Sequence, residues 1–182
     1  MRWLLLLSIF VVDTRGALAQ GPSTGAPAPA FSLRNREGTL VSRAGLAHPG
    51  PATPARPKQV VLLDFFRTDC EPCRRGLKQL IHLHRTHGGQ GLKVILVALL
   101  EEEQGEEKLQ RFLSQTPLPF DVLLDPYGVA ARRDVMQGKT VLLPQLFVID
   151  REGVLRGRFT GIDPKKPDAL QQLVVSTLLG PR

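Results

Sequence analysis

The chain has 182 residues, 42% of them hydrophobic and 23% charged, a length that provides one domain-sized piece with an ample core. Its 24 Lys+Arg against 17 Asp+Glu give a formal net charge of +7. That excess is scattered over Arg34, Arg36, Arg132, Arg133, Lys165 and Lys166, with no basic run and no interleaved aromatics, which argues against nucleic-acid binding. A mildly basic surface suits acidic partners or an anionic membrane surface, and above all solubility.

Arg2 is followed by an apolar run from Trp3 to Val12 and then by Ala17-Leu18-Ala19, the layout of a signal peptide over residues 1–19. The run is far shorter than the ~20 apolar residues of a membrane span, and Asp13 and Arg15 follow it, so an uncleaved anchor is the second choice. Residues 20–30 are rich in Gly, Pro, Ala and Ser and are expected to form a flexible tether, leaving 31–182 as the folded domain.

Phe31-Ser32-Leu33 and Thr39-Leu40-Val41 are expected to pair as a short hairpin around Arg36-Glu37-Gly38. Residues 47–57 carry four prolines and can be only a surface loop. The near-continuous apolar run Val60–Phe66 predicts a strand buried on both faces. A helix follows over Pro72–His87, with Leu77, Leu80, Ile81 and His84 on one face, stopped by Gly88-Gly89. Leu92–Leu100 is a second buried strand, and Glu106–Gln115 an amphipathic helix facing inward through Leu109, Phe112 and Leu113. A short strand (Phe120–Leu124) and a short helix (Gly128–Val135) come next. Leu146–Ile149 and Val154–Phe159 form a hairpin across Asp150-Arg151-Glu152-Gly153, and Asp168–Leu179 is a closing helix with Leu170, Leu173, Val174 and Leu178 apolar. Strands alternating with helices, then a hairpin and a last helix, imply a three-layer α/β sandwich.

Cys70 and Cys73 are the only cysteines, and they stand where the Val60–Phe66 strand hands over to a helix. The amide groups and positive dipole end of a helix favour a thiolate there and can lower a cysteine pKa from about 8.5 into roughly the 3.5–7.5 range. A structural disulfide or half of a zinc site are the alternatives. Zinc would need two further ligands, and no second Cys pair supplies them. Haem attachment through C-x-x-C-H is excluded because Arg74 follows Cys73. Behind an export signal a lone C-x-x-C is better suited to exchanging disulfides than to holding metal. Cys70 at the helix start is then the attacking thiolate and Cys73, one turn deeper, the resolving thiol. Pro72 suits a first helical turn, where its missing N–H is not needed. Asp64, inside the apolar run, would be desolvated and its pKa raised.

Three segments together resemble the thioredoxin superfamily, and within it the exported TlpA/ResA-type thiol–disulfide oxidoreductases: residues 60–74, 120–128 and 143–153. The resemblance spans about residues 31–179 and implies a thioredoxin-like sandwich, with a central mixed sheet flanked by helices. It implies a cis peptide bond at Pro144, against the alternative of a trans proline opening an edge strand, and pairing of the Leu143 backbone with an incoming substrate strand. It makes Asp64 the proton acceptor for the deeper cysteine, and Glu101 an acid/base near the dithiol, although Glu101-Glu102-Glu103 also suits a solvated charge run. Glu71-Pro72 is the dipeptide that ResA-like reductases carry between their cysteines. The implied partners are disulfide-bearing envelope proteins such as an apocytochrome c, with a membrane thiol-transfer protein as electron donor. A monomeric, periplasmic or otherwise extracytoplasmic reductant, with neither cofactor nor metal, is the expectation.

The chain departs from the family pattern at two places. Asp69 replaces the tryptophan usual before the first cysteine, and Gln145-Leu146 replaces the common Thr-Thr after the proline. Asp69 and Glu71 would raise the Cys70 pKa while Arg67, Arg74 and Arg75 would lower it. Other classes compete. The Pro-x-x-x-Thr/Ser-x-x-Cys pattern of peroxiredoxins is absent, with Arg67 three before Cys70. A copper-binding chaperone would need a histidine, but His82, His84 and His87 do not share one helix face and are expected to be singly exposed. A redox-inert binding module would keep the dithiol as a staple.

Overall fold

The computed structural model describes residues 23–28, 30–47, 58–100, 104–134, 136–137, 140–161 and 168–180. The expected leader (1–19), most of the 47–57 loop and Glu101 lie outside these residues. Nine strands and five α-helices follow in chain order among the described residues: β1 (Ser32–Asn35), β2 (Leu40–Ser42), α1 (Arg43–Ala47), β3 (Val60–Phe66), α2 (Glu71–His87), β4 (Leu92–Leu99), α3 (Gly105–Gln115), β5 (Asp121–Asp125), α4 (Val129–Asp134), β6 (Met136–Gln137), β7 (Thr140–Val141), β8 (Gln145–Ile149), β9 (Leu155–Thr160) and α5 (Ala169–Leu179). Seven strands form one sheet in the order β2-β1-β5-β4-β3-β8-β9, and β6 and β7 pair separately. β3, β4 and β5 run parallel at its centre, while β1, β8 and β9 are antiparallel to their neighbours. This is the mixed, helix-flanked α/β sheet of the thioredoxin fold.

Strand parity explains the layers. Val60, Leu62 and Phe66 of β3 point into one core with Leu77, Leu80 and Leu83 of α2, Leu109 of α3 and Val174 of α5. Val61, Leu63 and Phe65 point into the other, with Phe31, Ala130, Ala131 and Phe147. Fully burying a side chain of this size contributes roughly 1.5–3 kcal/mol, which is why the β3 run tolerates no exposed position. All seven β3 residues are buried, and the single polar one, Asp64, falls by parity on the side of α2.

The buried stripe of α2 is Cys73, Leu77, Leu80, Leu83 and His87, so Ile81 and His84 sit at its margin rather than its centre. The expected exposure of the three helix histidines is corrected accordingly. His82 is exposed, but His84 is half-buried with its ring edge-on to Phe120 at 5.7 Å, and His87 is buried with Nδ1 3.1 Å from Gln90 Oε1. The 17-residue α2 turns past the solvent side and returns each histidine to a different environment.

Part of the stretch read as a tether is docked. The amides of Gly25 and Ala28 donate to Leu155 O and Gly153 O, and Leu155 N donates to Ala26 O. Ala28 is buried, so backbone pairing at the start of β9 ties down residues whose composition alone suggests a flexible coil. Two elements have no sequence signal of their own: α1, five residues long and started by Gly45 N donating to Ser42 Oγ, and the two-residue strands β6 and β7. At Gly157 a Cβ would lie 2.2 Å from Leu173 Cδ2, so a larger residue there would force the Leu173 side chain to move where α5 packs on β9.

Candidate active site

The C-terminal end of β3 delivers the chain to the first turn of α2, and Cys70 is the N-cap of that helix. Its backbone is extended (φ −83°, ψ 100°), and its Sγ accepts the Cys73 N–H at 3.3 Å. A sulfur at this position meets the amide end of the helix directly, the environment that favours thiolate. Glu71 and Pro72 occupy the first helical turn. The cysteines are joined, with Cα atoms 5.3 Å apart. Cys70 is half-buried and Cys73 is 1% exposed, so an incoming disulfide reaches the first sulfur before the second.

Behind the disulfide lies a cavity of about 110 Å³ lined by Asp64, Pro72, Cys73, Arg75, Gly76, Gln79, Pro144, Leu146 and Gly161. Four of the residues expected at the site from sequence therefore share one enclosure: Asp64, Pro72, Cys73 and Pro144. Asp64 is 2% exposed and its Oδ1 is buried with no hydrogen-bond partner. Burial holds its carboxyl well above the usual range, because the charged form is desolvated.

The Leu143–Pro144 peptide bond is cis. Pro144 O accepts the Gly161 N–H at 3.1 Å, fixing the turn to the end of β9. Leu143, ahead of it, is half-buried and packs against both cores.

The acids flanking Cys70 are each matched by an arginine. Arg67 Nε donates to Asp69 Oδ1 at 2.9 Å and its Nη2 to Oδ2 at 2.5 Å. These bonds hold the Asp69 carboxyl below its ordinary pKa. Arg74 donates to Glu71 and lowers the Glu71 pKa, with Arg75 at 3.4 Å adding to the effect. Both acids weighed in the sequence are thus paired, Asp69 with Arg67 and Glu71 with Arg74 and Arg75, and the Cys70 sulfur sits at the amide end of the helix beside them.

Gln145, read from sequence only as a departure, is buried and braces the site. Its Nε2 donates to Thr160 Oγ1 at 2.9 Å, and its Oε1 accepts Arg158 Nε at 2.7 Å. The signal was legible: a polar residue opening an apolar strand, with two polar residues on the facing strand two positions apart. Gln79 and Gly76 in the cavity wall were also missed, although Gly76 follows Cys73 by three residues and so shares its helix face. Glu101 lies outside the described residues. Among the described residues no group of three or more His, Cys, Asp or Glu side chains is placed to hold a metal ion, and no helix is long and apolar enough to cross a membrane.

Comparison with known proteins agrees with this geometry. The model of the AhpC/TSA family matches residues 24–158. The thioredoxin-like protein YneN of Bacillus subtilis is 29% identical over 146 residues, covering 80% of this chain and 76% of its own. The thiol-disulfide oxidoreductase ResA of Bacillus subtilis is 28% identical over 142 residues, covering 76% and 68%. Among solved structures, a thiol:disulfide interchange protein DsbE from Chlorobium tepidum superimposes with a TM-score of 0.70 at 28% identity, over 86% of this chain and 98% of its own. The chain belongs to the AhpC/TSA family and is a thioredoxin-fold thiol–disulfide oxidoreductase similar to ResA.

Proposed function

We propose that the protein acts outside the cytoplasm as a protein-disulfide reductase through the Cys70-Glu71-Pro72-Cys73 dithiol. The observation that carries the reading is the cavity that the buried Cys73 and the buried Asp64 line together beneath the helix start. In the reduced protein the Cys70 thiolate attacks a substrate disulfide, breaking its S–S bond, forming a mixed disulfide and releasing one substrate thiol. Asp64 takes the proton from Cys73, whose sulfur then attacks Cys70. The Cys70–Cys73 disulfide forms, the second substrate thiol leaves, and two electrons have passed to the substrate.

Pro144 and Leu143 are the substrate-facing turn in this reading, with Glu71 and Pro72 on the opposite lip. The position of Pro144 in the cavity wall beside Cys73 supports that role. Glu101 retains its proposed acid/base part from the family resemblance alone. The signal-like residues 1–19 support export, and the resemblance supports disulfide-bearing envelope proteins as substrates and a membrane thiol-transfer protein as donor. A monomer suffices for this chemistry, since both cysteines and Asp64 come from one chain.

Measuring the reduction potential of the Cys70/Cys73 couple, with insulin reduction and copper binding followed in parallel, tests the proposal. A potential near or below that of thioredoxin, about −270 mV, with insulin turnover is expected of a reductant. A strongly oxidising potential would reverse the direction of electron flow, and absence of turnover would leave a binding module.

A further inference from the structure

Asp64 can serve repeated turnovers only if the proton it takes from Cys73 can leave again. The floor of the site is closed to solvent: Asp64 is 2% exposed and its Oδ1 has no hydrogen-bond partner, an arrangement that proteins avoid unless water reaches the group. The cavity of about 110 Å³ offers the space. One water needs only about 10–15 Å³ of such space, so water fits between the carboxyl and the mouth of the cavity, where Pro72 and Arg75 are exposed.

One residue lines that space without a side chain. Gly76 stands in the second turn of α2, and a Cβ built on it meets nothing within 4 Å. Alanine would therefore fit, and it is the better helix former at an interior position, so helix stability does not explain the glycine. Pro144 and Gly161 form the facing wall, where again little side chain intrudes.

We propose that Gly76 is a positioning residue for the proton chemistry: by contributing no side chain it maintains a water-filled passage from Asp64 to the surface, through which the resolving proton departs. This rests on the reading of Asp64 as proton acceptor. The Cys73 thiol gives its proton to the Asp64 carboxylate as its sulfur closes on Cys70. The departing substrate sulfur takes a proton from solvent, and Asp64 returns one to solvent through the passage, so no proton is left over. The charged or titratable groups that line the cavity with Asp64 are Cys73 and Arg75, both from α2, and Arg75 is exposed and paired with Glu71. Pro144, Leu146 and Gly161 bring none from the β8 and β9 side.

The test is single-turnover reaction of the reduced full chain with oxidised glutathione, where release of the second glutathione reports the resolving step, measured against pH. Gly76→Leu should fill the passage and slow that step about tenfold near pH 7, with its pH midpoint displaced upward, while Gly76→Ala slows it by less than about twofold. Gly76→Met, flexible and unbranched, gives a second filled variant should Gly76→Leu fold poorly. In an Asp64→Asn background Gly76→Leu should slow resolution no further. An equal, pH-independent slowing in both backgrounds would mean simple obstruction of the substrate and overturn the passage, while leaving Asp64 as acceptor. If Asp64→Asn alone leaves the profile of the resolving step unchanged, the acceptor reading fails and the passage falls with it.

Discussion

Asp64 and Cys73 line one small cavity, Asp64 from β3 and Cys73 from the first turn of α2. Nine residues separate them in sequence, and the alternation of β3 makes them neighbours. A side chain at position 63 or 65 would point into the other core, where Leu63 and Phe65 are found.

The exposure difference between the two sulfurs makes their proposed roles testable. Cys70→Ser should abolish exchange with protein disulfides, whereas Cys73→Ser should accumulate mixed disulfides that non-reducing gels and mass spectrometry detect. Accumulation by Cys70→Ser instead would reverse the assignment.

Asp64 makes stability pH-dependent with a definite sign. A carboxyl whose folded pKa lies above its unfolded value, about 3.9, binds more protons folded than unfolded between the two. The folded state therefore loses stability as pH rises through that window. With the disulfide intact, Asp64→Asn should be more stable than the wild-type chain at pH 7–8, and the gain should vanish below about pH 4. Reduction near neutral pH should slow by at least about tenfold in the same variant, within the range of general acid–base effects. Urea melts across pH and stopped-flow reduction check the two halves separately. A parallel stability profile for both proteins would show that Asp64 carries no burden of burial.

Gln145→Ala would leave the half-buried Arg158 guanidinium without the Gln145 acceptor inside the β8–β9 pair, while the exposed Thr160 hydroxyl turns to water. A loss of roughly 1–3 kcal/mol is expected from that orphaned, charged group. The urea midpoint should fall accordingly. An unchanged midpoint would mean that water replaces the carboxamide, and that Gln145 is not a brace.

Arg67→Ala frees the Asp69 carboxylate one residue from Cys70. The added negative charge should raise the Cys70 thiol pKa, seen as a shift of the thiolate absorbance near 240 nm, and slow attack on disulfides near neutral pH. Restoring the wild-type titration with the double variant Arg67→Ala/Asp69→Asn would attribute the shift to the uncovered acid.

Much of this molecule was written locally. The run Val60–Phe66 could be only a doubly buried strand, and the glycines after His87 announced the end of α2, although Gly88 itself stays right-handed, the chain runs on in a 3-10 turn over Gly88–Gln90, and Gly91 takes the positive φ. The C-x-x-C at a strand-to-helix junction, with Pro72 in the first turn, likewise announced a dithiol at a helix N-terminus. What lay beyond reach depended on which distant segments meet. The half-burial of His84 needs Phe120, and the docking of residues 25–28 needs the start of β9. The balance of charge around Cys70 was undecidable from residue types, since five side chains with rotatable stems decide it by pairing: Arg67 with Asp69, and Arg74 and Arg75 with Glu71. The cavity itself is a property of no segment. It exists because β3, α2 and the Pro144 turn, separated by up to 80 residues between Asp64 and Pro144, approach without filling the space between them. Hydrophobic patterning dictates what is buried; where packing is left incomplete is decided only when the layers close.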